Sequence, residues 1–290
     1  MRCPICENLE WHVRRDGRQC SHCELYMDRH ADPTAVLVDI RRQLASGSTG
    51  NGAGWRLDRI GWRNTAWRLG YVLDGEAVLK ARRRSHTVAL GIIARLGDAR
   101  IHDLLDRTAD DFGRRLVLFD GDDGGALCRR HENVDVAVHP LADDFGAQRN
   151  RLQRMAGTGW VLQLDTDECP TPELLAALGW LTAAADRDGL HSLGLPRRNM
   201  VDGRWSALYP DIQYRLNRAE VRFAGRVHER PDVPFARTSL ALCGAIDHHL
   251  SEARVRERTR IYESMERDAG RVGDEAALLR PFVPAAMASR

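Results

Sequence analysis

Lysine is nearly missing from this 290-residue chain: Lys80 is the only one, so the cationic charge is almost entirely guanidinium. Arginine grips phosphate bidentately where lysine offers a point charge, although a bias toward arginine codons explains the same count. Long apolar runs are missing too. None approaches the roughly 20 residues of a membrane span, and the opening M-R-C-P-I-C lacks the apolar core of a signal peptide. These absences argue against a membrane-spanning protein and predict a soluble, cytoplasmic one. Charge of one sign is also lacking: the net value is +2, which leaves the class of partner open. What is present is an apolar fraction of 43%, ordinary for a globular protein and enough for a sizeable core.

Four of the seven cysteines, Cys3, Cys6, Cys20 and Cys23, form C-x2-C-x13-C-x2-C. Two paired knuckles at this separation have the spacing of a tetrahedral Zn²⁺ site. Asp16-Gly17 supplies a turn midway. A ribbon over residues 1–30 is too small to bury a core, so the metal is expected to hold it together. Four thiolates close the coordination shell, which makes the zinc structural and not catalytic. Cys128, Cys169 and Cys243 read as packing residues.

Residues 31–85 read as a linker and connector. Residues 45–54 (A-S-G-S-T-G-N-G-A-G) have the composition of a flexible segment. Trp55, Trp62 and Trp67 then alternate with Arg56, Arg59, Arg63 and Arg68, and Arg82, Arg83 and Arg84 follow. Interleaved aromatics and arginines suit a nucleic acid, by stacking on bases and tracking phosphates. The same pattern suits an amphipathic segment that packs its tryptophans on the next domain. Both readings stand at this point.

From residue 86 strands and helices alternate. Thr87–Ala94, Leu116–Phe119, Val134–Leu141 and Trp160–Leu164 are apolar runs expected as buried parallel strands. Asp98, Asp144 and Thr171-Pro172-Glu173 are helix starts. Acids close two strands: Asp120, Asp122 and Asp123 after the second, Asp165, Asp167 and Glu168 after the fourth. In an α/β sheet, ligands bind at the carboxyl ends of strands. Carboxylates gathered there repel one another and suit a hard cation such as Mn²⁺ or Mg²⁺.

Five blocks carry a resemblance: D-F-G-A-Q-R-N (144–150), W-V-L-Q-L-D-T-D-E (160–168), L-P-R-R-N (195–199), Y-P-D-I-Q-Y-R-L (209–216) and F-A-G-R-V-H-E (223–229). Their order over residues 86–265 resembles the family 2 glycosyltransferases of GT-A fold, most closely the branch of lipopolysaccharide-core β-1,4-glucosyltransferases. That resemblance implies an α/β, Rossmann-like, mostly parallel sheet with flanking helices. It also implies an inverting transfer of sugar from a UDP- or GDP-type donor to a glycan, lipid-linked glycan or polymer, a modified DNA base included. Two loops depart from the family: Ala94-Arg95 is followed by Leu96-Gly97 where A-R-N-E is usual, and Asp120 opens D-G-D-D-G-G-A-L.

Site roles follow from the resemblance. Ala94, Arg95, Asp120, Arg149 and Asp165 meet the nucleotide. Asp165 and Asp167 meet the metal, Asp167 more directly, with His228 as first and His248 as second candidate to complete the shell. Asp211 is the expected base for the acceptor hydroxyl and Glu229 the fallback. Arg215 or Arg226 assists the leaving group, and Trp205, Tyr209 and Tyr214 offer a face for sugar stacking. The competing reading is a nucleic-acid-binding protein that uses residues 1–84 on an inactive transferase scaffold. Residues 252–265 read as a charged helix with a solvated face and 266–290 as a tail.

Overall fold

The computed structural model describes residues 1–69, 87–121, 131, 133–226, 228–265 and 272–283. Lys80, Arg82, Arg83, Arg84, Asp122, Asp123 and Cys128 lie outside the described residues. Among the described residues no helix is long and apolar enough to cross a membrane.

At the N-terminus β1 (Trp11–Arg14) and β2 (Gly17–Cys20) form a hairpin. β3 (Tyr26–Asp28) and β4 (Trp55–Arg56) extend it in the order β1-β2-β3-β4. Between β3 and β4 runs α1 (Pro33–Ala45), started by Asp32, whose side chain accepts from two backbone N–H groups. The Gly/Ser-rich stretch after α1 is a closed loop and not a free linker. Gln43 Oε1 accepts from Gly50 N at 2.8 Å, and Asp28 N donates to Gly54 O at 2.8 Å. The indole of Trp55 donates to Asp39 at 3.0 Å. Asp58 then caps α2 (Arg59–Arg68).

The three connector tryptophans are buried, at 2%, 5% and 4% exposure for Trp55, Trp62 and Trp67. Trp55 and Trp62 meet edge to face, and Trp67 meets Trp180 the same way. Their rings are spent on packing, so the stacking surface that a nucleic-acid reading needs is absent from them. Arg56 covers Tyr26, and Arg63 pairs with Asp188 at 3.0 Å.

The second unit is a mixed α/β fold. β5 (Val88–Arg95), β6 (Arg114–Asp120), β7 (Val134–Val138) and β8 (Trp160–Asp165) are parallel, in the spatial order β7-β6-β5-β8. α3 (Arg100–Arg107) and α4 (Phe145–Ala156) fall between these strands. Asp144 caps α4 as expected. Asp98 misses α3 by one residue: Ala99 is the N-cap, and Asp98 accepts from Arg100 N.

Beyond β8 the strand–helix rhythm stops, and antiparallel pairings join the parallel ones that were expected. β9 (Glu168–Pro170) leads into α5 (Pro172–Arg187), capped by Thr171. β10 (Ser192–Val201), β11 (Arg204–Trp205), β12 (Asp211–Arg218), β13 (Phe223–Ala224), β14 (Arg230–Pro231), β15 (Thr238–Leu240) and β16 (Ile246–Leu250) follow. β12 runs antiparallel to both β8 and β10, and β10 is parallel to β16. The sheet is therefore mixed, because β10 to β12 return as a hairpin-like pair with no crossover helix. α6 (Glu252–Met265) and α7 (Val272–Leu278) close the described chain.

The ribbon does not hang free of this unit. One apolar cluster joins its four cysteines, Leu25 and Met27 to Ile40, Trp55 and Trp62, then to Leu240 and Leu242 of the sheet unit. Arg2 adds a polar pin: its guanidinium donates to Tyr209 O at 2.9 Å, Ala207 O at 3.2 Å and Val283 O at 2.7 Å. A shared core predicts shared stability. Trp62→Ala should cost about 3–5 kcal/mol and shift urea unfolding of the sheet and exposure of the ribbon cysteines to a thiol reagent together. A sheet transition left unmoved would mean the two units fold independently.

Candidate active site

β5 lies between β6, its successor, and β8, so the chain reverses direction across the sheet there. The crevice at such a switch point is where α/β sheets bind ligands. Here it is a cavity of about 260 Å³. Ala94 and Arg95 from the end of β5, Asp120 from β6, and Asp165, Thr166 and Asp167 from β8 line it. Asp120 is held by the backbone N–H of Leu141 at 2.8 Å. Arg149, Asp211, Arg215, His228, Glu229 and His248 line the same cavity, so the expected site residues are brought together in one place. Arg226 is not among them; its side chain turns back to Asp143 O.

The sequence blocks assemble through specific contacts. Gly146 starts α4 against the 223–229 loop, where a Cβ would stand 2.4 Å from Gly225 O. Asn150 binds both the N–H and the C=O of Phe223, at 2.7 and 2.9 Å. Between them Arg149, buried, reaches Glu229 with Nε and Asp165 with Nη2 at 3.1 Å. Arg215 of β12 donates to Asp165 at 2.8 Å and Glu168 at 3.2 Å. Arg197 of β10 donates to Glu168 at 2.9 Å and to Asp211 through two nitrogens at 2.9 and 2.6 Å.

The network is unequal. Four carboxylates (Asp165, Glu168, Asp211 and Glu229) face three buried guanidiniums (Arg149, Arg197 and Arg215), while Asp167 pairs with the more exposed Arg100 at 3.6 Å. Burial opposes the charges of Arg149 and Arg197, but the surrounding carboxylates outweigh it and hold both above their usual range. The acids respond unequally. Burial, then the neighbouring Asp165, pushes Glu168 up to about 8, and burial likewise raises Asp165. Burial would also raise Asp167, but while His248 is protonated its hydrogen bond, joined by the charges of Arg100 and Arg197, draws the carboxyl well below the ordinary range.

His248 stands beside Asp167, its Nε2 3.7 Å from Asp167 Oδ1. The tautomer follows from its other neighbour. Asn199 Nδ2 donates to Asp211 at 3.0 Å and to Leu208 O at 3.3 Å, which turns the amide oxygen toward His248 Nδ1 at 2.7 Å. Nδ1 therefore carries the proton. Burial and the charge of Arg197 lower the imidazole to about 4, so it is neutral at pH 7 and its Nε2 is a lone pair. A lone pair and a carboxylate oxygen facing each other across the cleft are two donors that could serve a divalent cation. Mg²⁺ and Mn²⁺ take a small number of protein ligands and complete their shells with water and phosphate oxygens. His228, at φ +53°, lines the cleft from the loop that carries Glu229.

Asp211 accepts four hydrogen bonds: two from Arg197, one from Asn199 and one from Gln213 at 2.7 Å. Burial would raise its carboxyl; Arg197 and the amide donors bring it down to about 2. Trp205 is stacked on Phe282 at 3.9 Å, so that face is closed to a sugar, whereas Tyr214 borders the cleft. The helix α6, read as solvated, brings Arg254 and Arg258 to the cleft edge, and α7, which lies within the stretch read as a tail, brings Asp274.

Arg197, Asn199 and Gln213 carried no functional reading in the sequence. The signal was there in the alternation R-x-N on β10 and D-x-Q-x-R on β12, polar residues on one face of otherwise apolar strands. Register puts Arg197 opposite Asp211, and Asn199 opposite His248, which in turn faces Glu168.

The four ribbon cysteines are buried and free, with ligand atoms all within 4.8 Å of one another. The Cys3–Cys23 and Cys6–Cys20 sulfur pairs lie 3.5 Å apart. Zn–S bonds of about 2.3 Å place tetrahedral sulfurs roughly 3.8 Å apart, so the cluster fits a metal such as zinc with small relaxation. Burial raises the Cys6 and Cys23 thiols, a state that a bound cation reverses.

No family model matches the chain. Over 150 residues it is 26% identical to the SPbeta prophage-derived glycosyltransferase SunS of Bacillus subtilis (strain 168), a stretch that covers 50% of this chain and 35% of that one. The glycosyltransferase SunS of Bacillus phage SPbeta matches to the same extent. The chain thus spans about a third of the length of the curated relatives it matches. Over half of its own length it is a distant relative of glycosyltransferases.

Proposed function

We propose that this protein is a metal-dependent, inverting glycosyltransferase of GT-A type that uses a nucleotide-sugar donor and resembles family 2 through its five sequence blocks. The observation that carries the reading is the Asp167–His248 pair, set at the switch point of the sheet inside a network with more carboxylates than guanidiniums. The distant likeness to named glycosyltransferases supports the same chemistry.

Asp167 and His248 would hold Mn²⁺ or Mg²⁺, while Asp165, expected as a second ligand, is engaged by Arg149 and Arg215. When bound, the ion supplies Lewis-acid neutralisation of the leaving diphosphate. Arg215 adds a buried Nε donor that has no partner among the described residues. Arg254 and Arg258 border the cleft from α6 and suit the outer phosphate oxygens. Asp120 and Arg95 frame the nucleoside end.

Transfer breaks the bond from the anomeric carbon to the diphosphate and forms one to the acceptor oxygen on the opposite face, through an oxocarbenium-like state. The acceptor proton passes to Asp211. The donors around Asp211 keep it ionised, and the acceptor hydroxyl becomes strongly acidic as its oxygen bonds to carbon, so a carboxylate held near 2 accepts the proton late in the step. Glu229, bound to Arg149, orients that guanidinium. The buried tryptophans remove the support that the connector offered to a nucleic-acid-binding function.

Three outcomes are expected. Asp167→Asn should lower Mn²⁺-dependent hydrolysis of nucleotide sugars at least ~100-fold, measured by release of nucleoside diphosphate across a donor panel; unchanged turnover would refute the metal site. Asp211→Asn should keep nucleotide binding, read by calorimetry, while transfer to acceptor falls by roughly 10²–10⁴. The third concerns pH. His248 takes its proton near 4 in the folded chain and at about 6.5 when unfolded, so the unfolded state binds more protons between those values. Its contribution to stability is present above about 6.5 and is lost as pH falls toward 4. His248→Gln should flatten that limb, seen in urea denaturation at pH 7.5 and 4.5; identical acid limbs would contradict the neutral imidazole.

A further inference from the structure

A second cavity, of about 630 Å³, lies between the ribbon and the sheet unit. One wall is ribbon: Asn8, Leu9, Glu10, Ser21, His22 and Glu24. The opposite wall is the 207–214 segment, with Phe235, Thr238 and Ser239. Leu208, Asp211, Tyr214, Arg230 and Asp274 border both this cavity and the donor cleft, so the two are adjoining rooms with Asp211 in the dividing wall.

The groove is built, not an accidental gap between domains. Arg2, next to the first metal-binding cysteine, clamps the carbonyls of Ala207 and Tyr209 and so fixes the ribbon against the segment that leads to Asp211. The apolar cluster common to both units holds the far side. The ribbon also reaches toward the chemistry: the charge of Asp211 is felt at His22, whose Nδ1 is buried without a partner among the described residues.

We propose that this groove is the acceptor site, that the ribbon forms half of it, and that its occupant is an uncharged oligosaccharide whose attacking hydroxyl reaches Asp211. The inference rests on the glycosyltransferase reading above. Charge selects the occupant first. Four acids (Glu10, Glu24, Asp211 and Asp274) and two arginines (Arg230 and Arg280) line the groove, a balance that repels a phosphodiester backbone. Surface chemistry selects it next. Short amide, hydroxyl and carboxylate side chains alternate with Tyr214 and with Leu9 and Phe235, which are 49% and 78% exposed. Such a lining matches a pyranose, with hydroxyls at its rim and apolar C–H faces. The volume is that of pockets that enclose a drug-sized ligand, adequate for a few sugar residues.

The test uses the full-length, zinc-loaded protein and three probes: a panel of neutral tetrasaccharides of glucose, galactose and N-acetylglucosamine, a mixed-sequence single-stranded oligonucleotide, and an unstructured basic peptide. Binding is read by saturation-transfer NMR, which needs no turnover, and donor hydrolysis is assayed separately. At least one tetrasaccharide should bind. Glu10→Ala and Phe235→Ala, both at exposed positions, should each weaken it about tenfold or more and raise the acceptor KM in step, with donor KM and zinc content unmoved. Val13→Ala, on the ribbon away from the groove, should change nothing. The proposal is overturned if no tetrasaccharide binds, if the two variants bind as the parent does, or if the oligonucleotide or peptide is the probe whose binding those variants weaken. Absence of donor hydrolysis in the parent would instead strike the donor chemistry, and the NMR arm would still decide the groove.

Discussion

Three buried arginines set against four carboxylates hold this protein's cleft together. Removing such charges from water costs several kcal/mol per ion, and only a closed set of partners offsets it. Arg149 ties the 223–229 loop to the end of β8, Arg215 ties β12 to the same point, and Arg197 ties β10 to both Glu168 and Asp211. Each of the five sequence blocks contributes at least one member. The blocks are far apart in the chain because the network is a tertiary device: one residue from each element, converging on a single crevice.

The N-terminal unit belongs to the same logic. A four-strand ribbon with four cysteines has too little apolar surface to stand alone, and this one borrows Leu240 and Leu242 from the sheet unit. Cysteines, tryptophans and sheet residues therefore share one core. The arginine that precedes the first cysteine spends its donors on the backbone of the segment carrying Asp211. Order in the ribbon is thereby transmitted, through two carbonyl contacts, to the residue assigned to receive the acceptor proton.

Local features of this architecture were legible in the sequence. The cysteine spacing placed a metal cluster, apolar runs located the four parallel strands within a few residues, and Asp144 and Thr171 marked true helix starts. What escaped was long-range. The antiparallel half of the sheet depends on which strands pair across tens of residues, a matter of register that local periodicity does not encode. The nearness of His248 to Asp167 comes from β10 pairing with β16 and β16 with β9, so chain order could not rank it against His228. The Gly/Ser-rich stretch misled for the opposite reason: its composition suits a free linker, but contacts from Gln43, Asp28 and Asp39 close it.

Charge around the cleft is segregated, and that segregation has a chemical consequence. Counting every lining residue, eight arginines meet seven acids, so the cavity as a whole is close to balanced. The surplus of carboxylates sits at the floor, where Glu168 and Asp165 are pushed toward protonation, while Arg95, Arg230, Arg254 and Arg258 stand nearer the rim. A diphosphate alone would meet repulsion at the floor, and a cation alone would meet it at the rim. On the proposed reading, a cation and a polyphosphate together would neutralise both layers, the ion relieving the floor and the phosphate oxygens satisfying the arginines. Such an arrangement would favour the pair over either part. Binding of the two should be mutually dependent, as reciprocal coupling between sites requires.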